Sequence, residues 1–379
     1  MASLLRRLAG CLAVAAWECA LDSAETACFA SPAAEQGPRQ VVRIRGPHLQ
    51  IGFDERDGSL LEFDDLKTGR RAIDPRDAAA QGGGLWEIRL RKGNENALLA
   101  PGQAKVFRIE AIAGEPVGRR LVWEQFGPPC APQLKVEVVV RLDAEGPTSR
   151  WSIAASRLAG STVDEIHFPS VRGIARQDRE HLALPVWMGQ QAAEPRRWFA
   201  GTAGPPQRRE WSYPGPLSMQ CVAYYQRRGL GLYVACDDTA SRRKTFAVQG
   251  DAQGRIGLEW IHYPQGEADR STAGIDYSVL LGTFCGDWFT VAERYRVWAL
   301  RQPWAKESRL KRGLVPDWVL QTGLWVWNRG RSPGVLPPAV ALRERLGLPV
   351  SVFWHWWHGC AYDTGFPEYF PPREGAEAF

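Results

Sequence analysis

The chain has 379 residues, 45% of them hydrophobic and 23% charged, with a formal net charge of +5. That balance describes a folded protein too long for one ordinary core, so two domains are expected. The small charge, with no basic run carrying interleaved aromatics, argues against a nucleic-acid surface.

The 17 Trp, 38 Gly and 27 Pro point to many turns. They also point to a wide aromatic core or a surface that stacks on flat ligands.

Residues 1–30 read as an export signal. Arg6 and Arg7 form a positive start, Leu8–Trp17 a short apolar stretch, and Cys28-Phe29-Ala30 a small-residue cleavage site before Ser31. The stretch is too short for a membrane span. LAGC at Leu8–Cys11 has no apolar run before it, which argues against lipidation. The expected location is periplasmic or extracellular.

Export would remove Cys11, Cys19 and Cys28 and leave Cys130, Cys221, Cys236, Cys285 and Cys360. The absence of CxxC argues against a structural zinc site or a redox pair. Cys221 and Cys236 are placed either to bridge a hairpin or to stay as buried thiols.

From Val41 to about Phe284 the sequence reads as short strands between turns. In His48–Arg70, Leu49, Ile51 and Phe53 alternate with polar residues, Asp57-Gly58 turns the chain, and Leu61 and Phe63 alternate again. Val222–Asp238 repeats the pattern around Arg228-Gly229. The expectation is a large antiparallel β-supersandwich over residues 41–285 with no helix inside it. Asp237, Asp238 and His262 read as turn or surface residues.

Gly286–Ala305 changes to helical spacing, with Asp287 at the N-cap position and Pro303 near the end. This predicts one linking helix over 286–305. Its Trp288, Trp298 and Trp304 are expected to pack between domains.

After Pro316 the period becomes strand, helix, strand. Asp317–Gly330 alternates, with Leu320, Leu324 and Val326 on one face and Trp325 and Trp327 on the other. Leu336–Gly347 predicts a helix with prolines in its first turn and Gly347 past its end. Leu348–Trp357 predicts a second strand, parallel to the first. In a (β/α)8 barrel, binding groups gather at the C-terminal ends of strands. That places Trp325, Trp327, Ser351, Phe353, His355 and Trp357 inward, with Asn328 and His358 at the rim and Asp363 in the following loop.

WVWNRG (Trp325–Gly330), Leu346–Pro372 and Gly286–Ala305 resemble a bacterial, glycoside-hydrolase-like family of unknown function, the domain of unknown function 6259. The resemblance implies a galactose-mutarotase-like supersandwich, a linking helix and a (β/α)8 barrel, acting on a poly- or oligosaccharide. A barrel needs about 250 residues, of which 317–379 supplies roughly a quarter. The fold expected is therefore mainly β: the supersandwich, the helix and the first two strands of an incomplete barrel. Glycosidases need two carboxylates flanking the scissile bond. By the resemblance these come from later strands, so this chain reads as an inactive fragment. A noncatalytic carbohydrate-binding sandwich is the alternative.

Trp stacks on the C–H faces of sugars, and fixed polar groups meet the hydroxyls. Trp325, Trp327, Asn328, His355, Trp357, His358 and Asp363 are accordingly the candidate substrate-binding residues. His355 and His358 lie on opposite sides of a continuing strand, and HxxH lacks the helical spacing of zinc enzymes, so no metal is expected. Nor is any cofactor. Asp363 reads better as a hydroxyl ligand or turn cap than as a catalytic acid. Oligomeric state has no signature in the sequence.

Overall fold

The computed structural model describes residues 39–82, 84–114, 117–127, 133–199, 207–264, 271–358 and 369–378. Residues 1–30 and Asp363 lie outside them. Residues 41–379 form one compact unit.

In chain order, β1 (Val41–Arg45), β2 (Leu49–Asp54), β3 (Leu60–Asp65) and β4 (Arg70–Ile73) lead to helix α1 (Pro75–Gln81). Next come β5 (Glu87–Lys92), β6 (Glu95–Leu99), β7 (Ala104–Ile112), β8 (Gly118–Phe126) and β9 (Lys135–Leu142). β10 (Thr148–Ser156), β11 (Thr162–Val171), β12 (Glu180–Leu184) and β13 (Gln190–Ala193) precede α2 (Pro195–Phe199). β14 (Arg208–Tyr213), β15 (Cys221–Gln226), β16 (Gly229–Cys236), β17 (Lys244–Gly250), β18 (Ile256–His262), β19 (Thr272–Gly274) and β20 (Val279–Gly286) complete the strand-rich part. After it come α3 (Trp288–Ala299), α4 (Pro303–Lys306), α5 (Asp317–Gln321), β21 (Leu324–Arg329), α6 (Ser332–Leu346) and β22 (Val350–His355).

The chain is mainly β with antiparallel sheets, the sandwich read from the sequence. One sheet is β1-β2-β3-β4, and a ten-stranded sheet runs β13-β12-β15-β16-β20-β10-β9-β8-β7 with β19 on β10. A six-stranded sheet runs β14-β17-β18-β11-β5-β6.

Alternation builds the core. In β9 every second residue is buried, so Val136, Val138 and Val140 join Trp151 and Ile153 of β10. Ile88, Phe168, Leu258 and Trp260 of the six-stranded sheet enter the same apolar cluster. Trp86, Trp123, Trp151 and Trp260 are fully buried there, which accounts for part of the tryptophan excess.

The hairpins turn where the sequence places them. Gly58 takes φ 74 and donates to the Asp54 carbonyl between β2 and β3. Arg228 takes φ 63 between β15 and β16.

Two short helices interrupt the strands, against the expectation of none. Asp74 Oδ1 accepts from the N–H groups of Arg76 and Asp77 and so starts α1. Gly173 lets this helix approach: a Cβ there would lie 2.2 Å from the Ala78 nitrogen.

Cys221 and Cys236 are free, buried thiols. Cys221 pairs with Ala235, and the two cysteines enter different apolar clusters on opposite faces of the sheet. Burial pushes the Cys221 thiol up to about 12.

Asp237 is partly buried and ion-paired to Arg150. Asp238 and His262 are fully buried, not at the surface as expected, though Asp238 does hold a turn by accepting from the Ala240 N–H at 2.9 Å. Asp238 meets Lys244 across 2.7 Å. His262 Nε2 lies 2.7 Å from the Phe168 carbonyl and Nδ1 2.7 Å from the Tyr277 hydroxyl.

The linking helix is shorter than expected. Asp287 caps α3 through the Phe289 N–H, but the helix stops at Ala299. Pro303 lacks the N–H that would continue it and drives Gln302 to ψ 155, so a separate turn, α4, follows. Val291 and Tyr295 of α3 pack on Cys221, Ala223 and Phe284, covering the outer face of the ten-stranded sheet. Trp288 and Trp304 remain about half exposed instead of packed away.

Candidate functional site

The predicted strand over Asp317–Gly330 divides in two. Pro316 opens a single helical turn, α5, and the Thr322 hydroxyl closes it by donating to the Trp318 carbonyl at 2.7 Å. The strand begins at Leu324. α6 also starts earlier than predicted, at Ser332. Pro333 occupies its first turn, while Pro337 and Pro338 lie inside it. Gly347 ends it in the left-handed conformation at φ 64, as expected.

β21 and β22 pair in parallel, with Trp325 opposite Ser351, Trp327 opposite Phe353 and Arg329 opposite His355. These six residues share one face by the period of two. Leu324, Val326, Val350 and Val352 are partly buried, whereas Trp325, Trp327 and Phe353 are 50%, 71% and 61% exposed. The sequence-based division into an aliphatic and an aromatic face is the one observed.

His355 is the hub of the aromatic face. Its ring centroid lies 5.4 Å from Trp327 and 4.8 Å from Phe353, edge-on to both. Trp318 of α5 lies 5.9 Å from Trp325 and extends the surface. Phe353 is as central to this face as the two tryptophans, and its alternation with His355 was the signal for it.

Asn328 points the other way. It shares the register of Leu324 and Val326, and Nδ2 donates to the Gly334 carbonyl of α6 at 3.2 Å. Its Oδ1 accepts the Arg329 N–H at 2.8 Å. The rim role expected for Asn328 therefore gives way to an anchoring of the helix start.

The strand does not run to Trp357. Trp356 takes φ 63 and turns the chain, with the Arg329 guanidinium 5.1 Å from its ring centroid. Trp357 and His358 consequently leave the aromatic face. They join Tyr369 and Phe370: Trp357 lies 5.1 Å from Phe370, and His358 5.2 Å from Tyr369. His358 is buried beside Pro372 and does not stand at an open rim. The candidate residues thus form two groups, Trp325, Trp327 and His355 in one and Trp357 and His358 in the other. Among the described residues, no three His, Cys, Asp or Glu side chains converge as metal ligands, and no helix is long and apolar enough to cross a membrane.

The aromatic face can stack on flat or C–H-rich surfaces, and His355 offers a ring nitrogen chemistry at its centre. Among the described residues the strands bring no carboxylate to it: the six facing residues are Trp, Trp, Arg, Ser, Phe and His.

Comparison with known proteins agrees with this picture. A curated relative from Bacteroides thetaiotaomicron, named "Putative glycoside hydrolase", is 22% identical over 292 residues, covering 76% of this chain and 42% of that protein. Alpha-N-acetylgalactosaminidase NagBb from Bifidobacterium bifidum, in its Gal-NHAc-DNJ complex, superposes with a TM-score of 0.57 at 15% identity. That match covers 88% of this chain and 54% of the other. A quadruple mutant of the same enzyme gives 0.55 at 14%, covering 89% and 56%. The structural likeness is one of fold. The chain spans about half the length of the proteins it matches. Residues 274–379, from the end of the sandwich through both parallel strands, match the family described as Domain of unknown function (DUF6259), the resemblance the tryptophan and histidine motifs carry.

Proposed function

We propose that this chain is part of a glycoside-hydrolase-like protein acting on a poly- or oligosaccharide. In this reading residues 41–285 are the supersandwich and 286–305 the link. Residues 317–379 open a (β/α)8 barrel through β21, α6 and β22. The observation that carries it is the exposed aromatic face of two parallel strands, on which Trp327, Phe353 and His355 lie in the C-terminal half and Trp325 lies nearer the start of β21. Barrel enzymes collect substrate contacts at that end.

A neutral sugar offers axial C–H groups to such rings and hydroxyls to His355. Hydrolysis needs a proton donor and a second carboxylate. Among the described residues neither stands on this face, so in this reading the chain by itself binds glycan weakly and does not cleave it. Leu336, Val340 and Leu346 of α6 are also exposed, as fits a helix whose barrel neighbours are not among these residues. The segment 1–30 serves export in this reading.

The test is an assay of the whole chain against nitrophenyl glycosides and oligosaccharides, with binding followed by tryptophan fluorescence. No turnover is expected, and Trp327→Ala weakens binding about tenfold. Turnover by this chain overturns the inactive reading. Unchanged affinity in Trp327→Ala overturns the assignment of the aromatic face.

A further inference from the structure

Five exposed arginines gather where β12 begins and β15 ends, with Glu180 paired to Gln226. Arg176 and Arg179 stand just before β12, Arg227 and Arg228 turn the chain from β15 into β16, and Arg70 opens β4. Arg70 reaches the same place, with Nη1 donating to Gln226 Oε1 at 3.4 Å.

Two clefts open there and share Glu180 as a wall. The first, of about 650 Å³, is lined by Arg70, Arg71, Arg176 and Arg196. The second, of about 570 Å³, is lined by Arg179, Arg227 and Arg228. Both are of a size that small ligands fill.

The charges around them do not balance. Glu180 lies 2.8 Å from Arg196 Nε, and it also accepts from the Tyr224 hydroxyl at 2.8 Å and the Gln177 N–H at 2.9 Å. The Arg196 and Glu180 side chains are 11% and 6% exposed, so this pair makes a fixed and neutral floor. Glu194, on the second cleft, pairs with Arg197 at 2.8 Å, and Asp64 lies 3.6 Å from Arg71. Among the described residues, Asp178 is the lining carboxylate left to set against Arg70, Arg176, Arg179, Arg227 and Arg228, and none of these five has an ion-pair partner. Crowded cations repel one another, and a bound anion relieves that repulsion. The turns themselves do not call for arginine. Arg179 and Arg228 take φ 53 and 63, where glycine or asparagine costs less.

From this arrangement we infer that the paired clefts form a binding site for an anion with at least two linked phosphoryl groups, one seated in each cleft. Guanidinium forks fit tetrahedral oxyanions bidentately. Each cleft offers more than one unpaired fork, and a phosphoryl group presents three acceptor oxygens where a carboxylate presents two. Two such clefts on either side of Glu180 suit linked groups better than a single one. The site stands whether or not residues 317–379 open a barrel.

The test is calorimetry of the whole chain with tripolyphosphate, orthophosphate and citrate. Tripolyphosphate is expected to bind at least about tenfold more tightly than orthophosphate, and less tightly as ionic strength rises. Arg70→Gln in the first cleft and Arg227→Gln in the second each weaken it about 3- to 10-fold, as for an exposed charge-assisted contact. Neither arginine is buried or ion-paired, so both variants keep the fold, which far-ultraviolet circular dichroism verifies. Arg312→Gln, exposed and outside both clefts, leaves the affinity unchanged. Cosedimentation with phosphatidylglycerol vesicles separates two sources of the phosphate. Tripolyphosphate binding without vesicle binding identifies a soluble ligand, and binding of both admits a lipid headgroup. Vesicle binding with none to tripolyphosphate overturns the paired clefts. So do equal affinity for orthophosphate, tighter binding of citrate, or tripolyphosphate affinity unchanged in either Arg70→Gln or Arg227→Gln.

Discussion

Lys244 Nζ lies 2.7 Å from Asp238 Oδ2, and neither side chain has any exposure. The ammonium also donates to Gln220 Oε1 at 2.9 Å and to the Arg242 carbonyl at 2.7 Å, and lies 4.8 Å from the ring centres of Tyr213 and Tyr277. The pair is satisfied on every side, which is the condition for burying it at all. Removing one partner strands the other. Lys244→Met is expected to cost about 3–5 kcal/mol of unfolding free energy, read from urea denaturation at neutral pH. Burial alone would raise the Asp238 carboxyl, but Lys244 and the N–H groups of Ala240 and Arg242 hold it below 3.8. Its contribution is therefore complete above that value and drains away as pH falls toward the depressed one. An Asp238→Asn variant should lose stability at neutral pH and show a flatter acid limb below pH 3.8. A wild-type-like limb in that variant rejects the assignment.

His262 governs a higher pH window. Burial, with the charge of Lys244 adding to it, pushes the imidazole down to about 3 from 6.5. The neutral ring donates from Nε2 to the Phe168 carbonyl and accepts at Nδ1 from the Tyr277 hydroxyl. The unfolded chain takes up a proton near 6.5 that the folded chain refuses until about 3. Stability is complete above 6.5 and is lost progressively as pH falls between those limits, by a few kcal/mol in order of magnitude. In His262→Gln the slope of unfolding free energy between pH 6 and about 4 is expected to shrink. An unchanged slope would place the proton uptake elsewhere.

Gly58 is a place where turn and core meet. Its φ of 74 suits glycine, and a Cβ there would sit 2.6 Å from Trp123 Cζ2 and 2.8 Å from the Phe107 ring. Backbone strain and overpacking add, so Gly58→Ala is expected to lose about 2–4 kcal/mol. The Trp123 indole, which donates to the Asp57 carbonyl at 2.9 Å, should change its near-UV circular dichroism in the same variant.

Much of this was legible because period-two alternation is local. β9, the hairpin at Asp57-Gly58 and the opposed faces of β21 and β22 follow from residues within a few positions of each other. What was not legible depends on partners distant in sequence or on a single backbone angle. The burial of Asp238 was not legible because Gln220, just before β15, and Tyr277, between β19 and β20, which help bury its network, are distant in sequence. The buried Glu259 of β18 accepts from His167 and Ser170 of β11, Arg172 just after it and Arg208 of β14, and no short window contains that set. Trp357 was assigned to the aromatic face by extending the alternation through Trp356, whose positive φ breaks it. Asn328 was placed at a rim because nothing in WVWNRG announces a helix carbonyl in need of a donor.

That carbonyl belongs to Gly334. In a regular helix it would accept from the N–H of residue 338, but Pro338 has none. The Asn328 side chain supplies the donor instead, at 3.2 Å. This explains how α6 carries a proline pair in its interior and ties the helix start to the end of β21. Asn328→Ala is expected to cost about 1 kcal/mol. Pro338→Ala returns a backbone donor to Gly334, so the two residues should be coupled. In the Pro338→Ala background the Asn328→Ala substitution should cost less than half as much. A double-mutant cycle from denaturant midpoints measures the difference. Additive costs would mean that Asn328 and Pro338 act on α6 independently, and the substitution of a side-chain donor for a missing backbone one would fall.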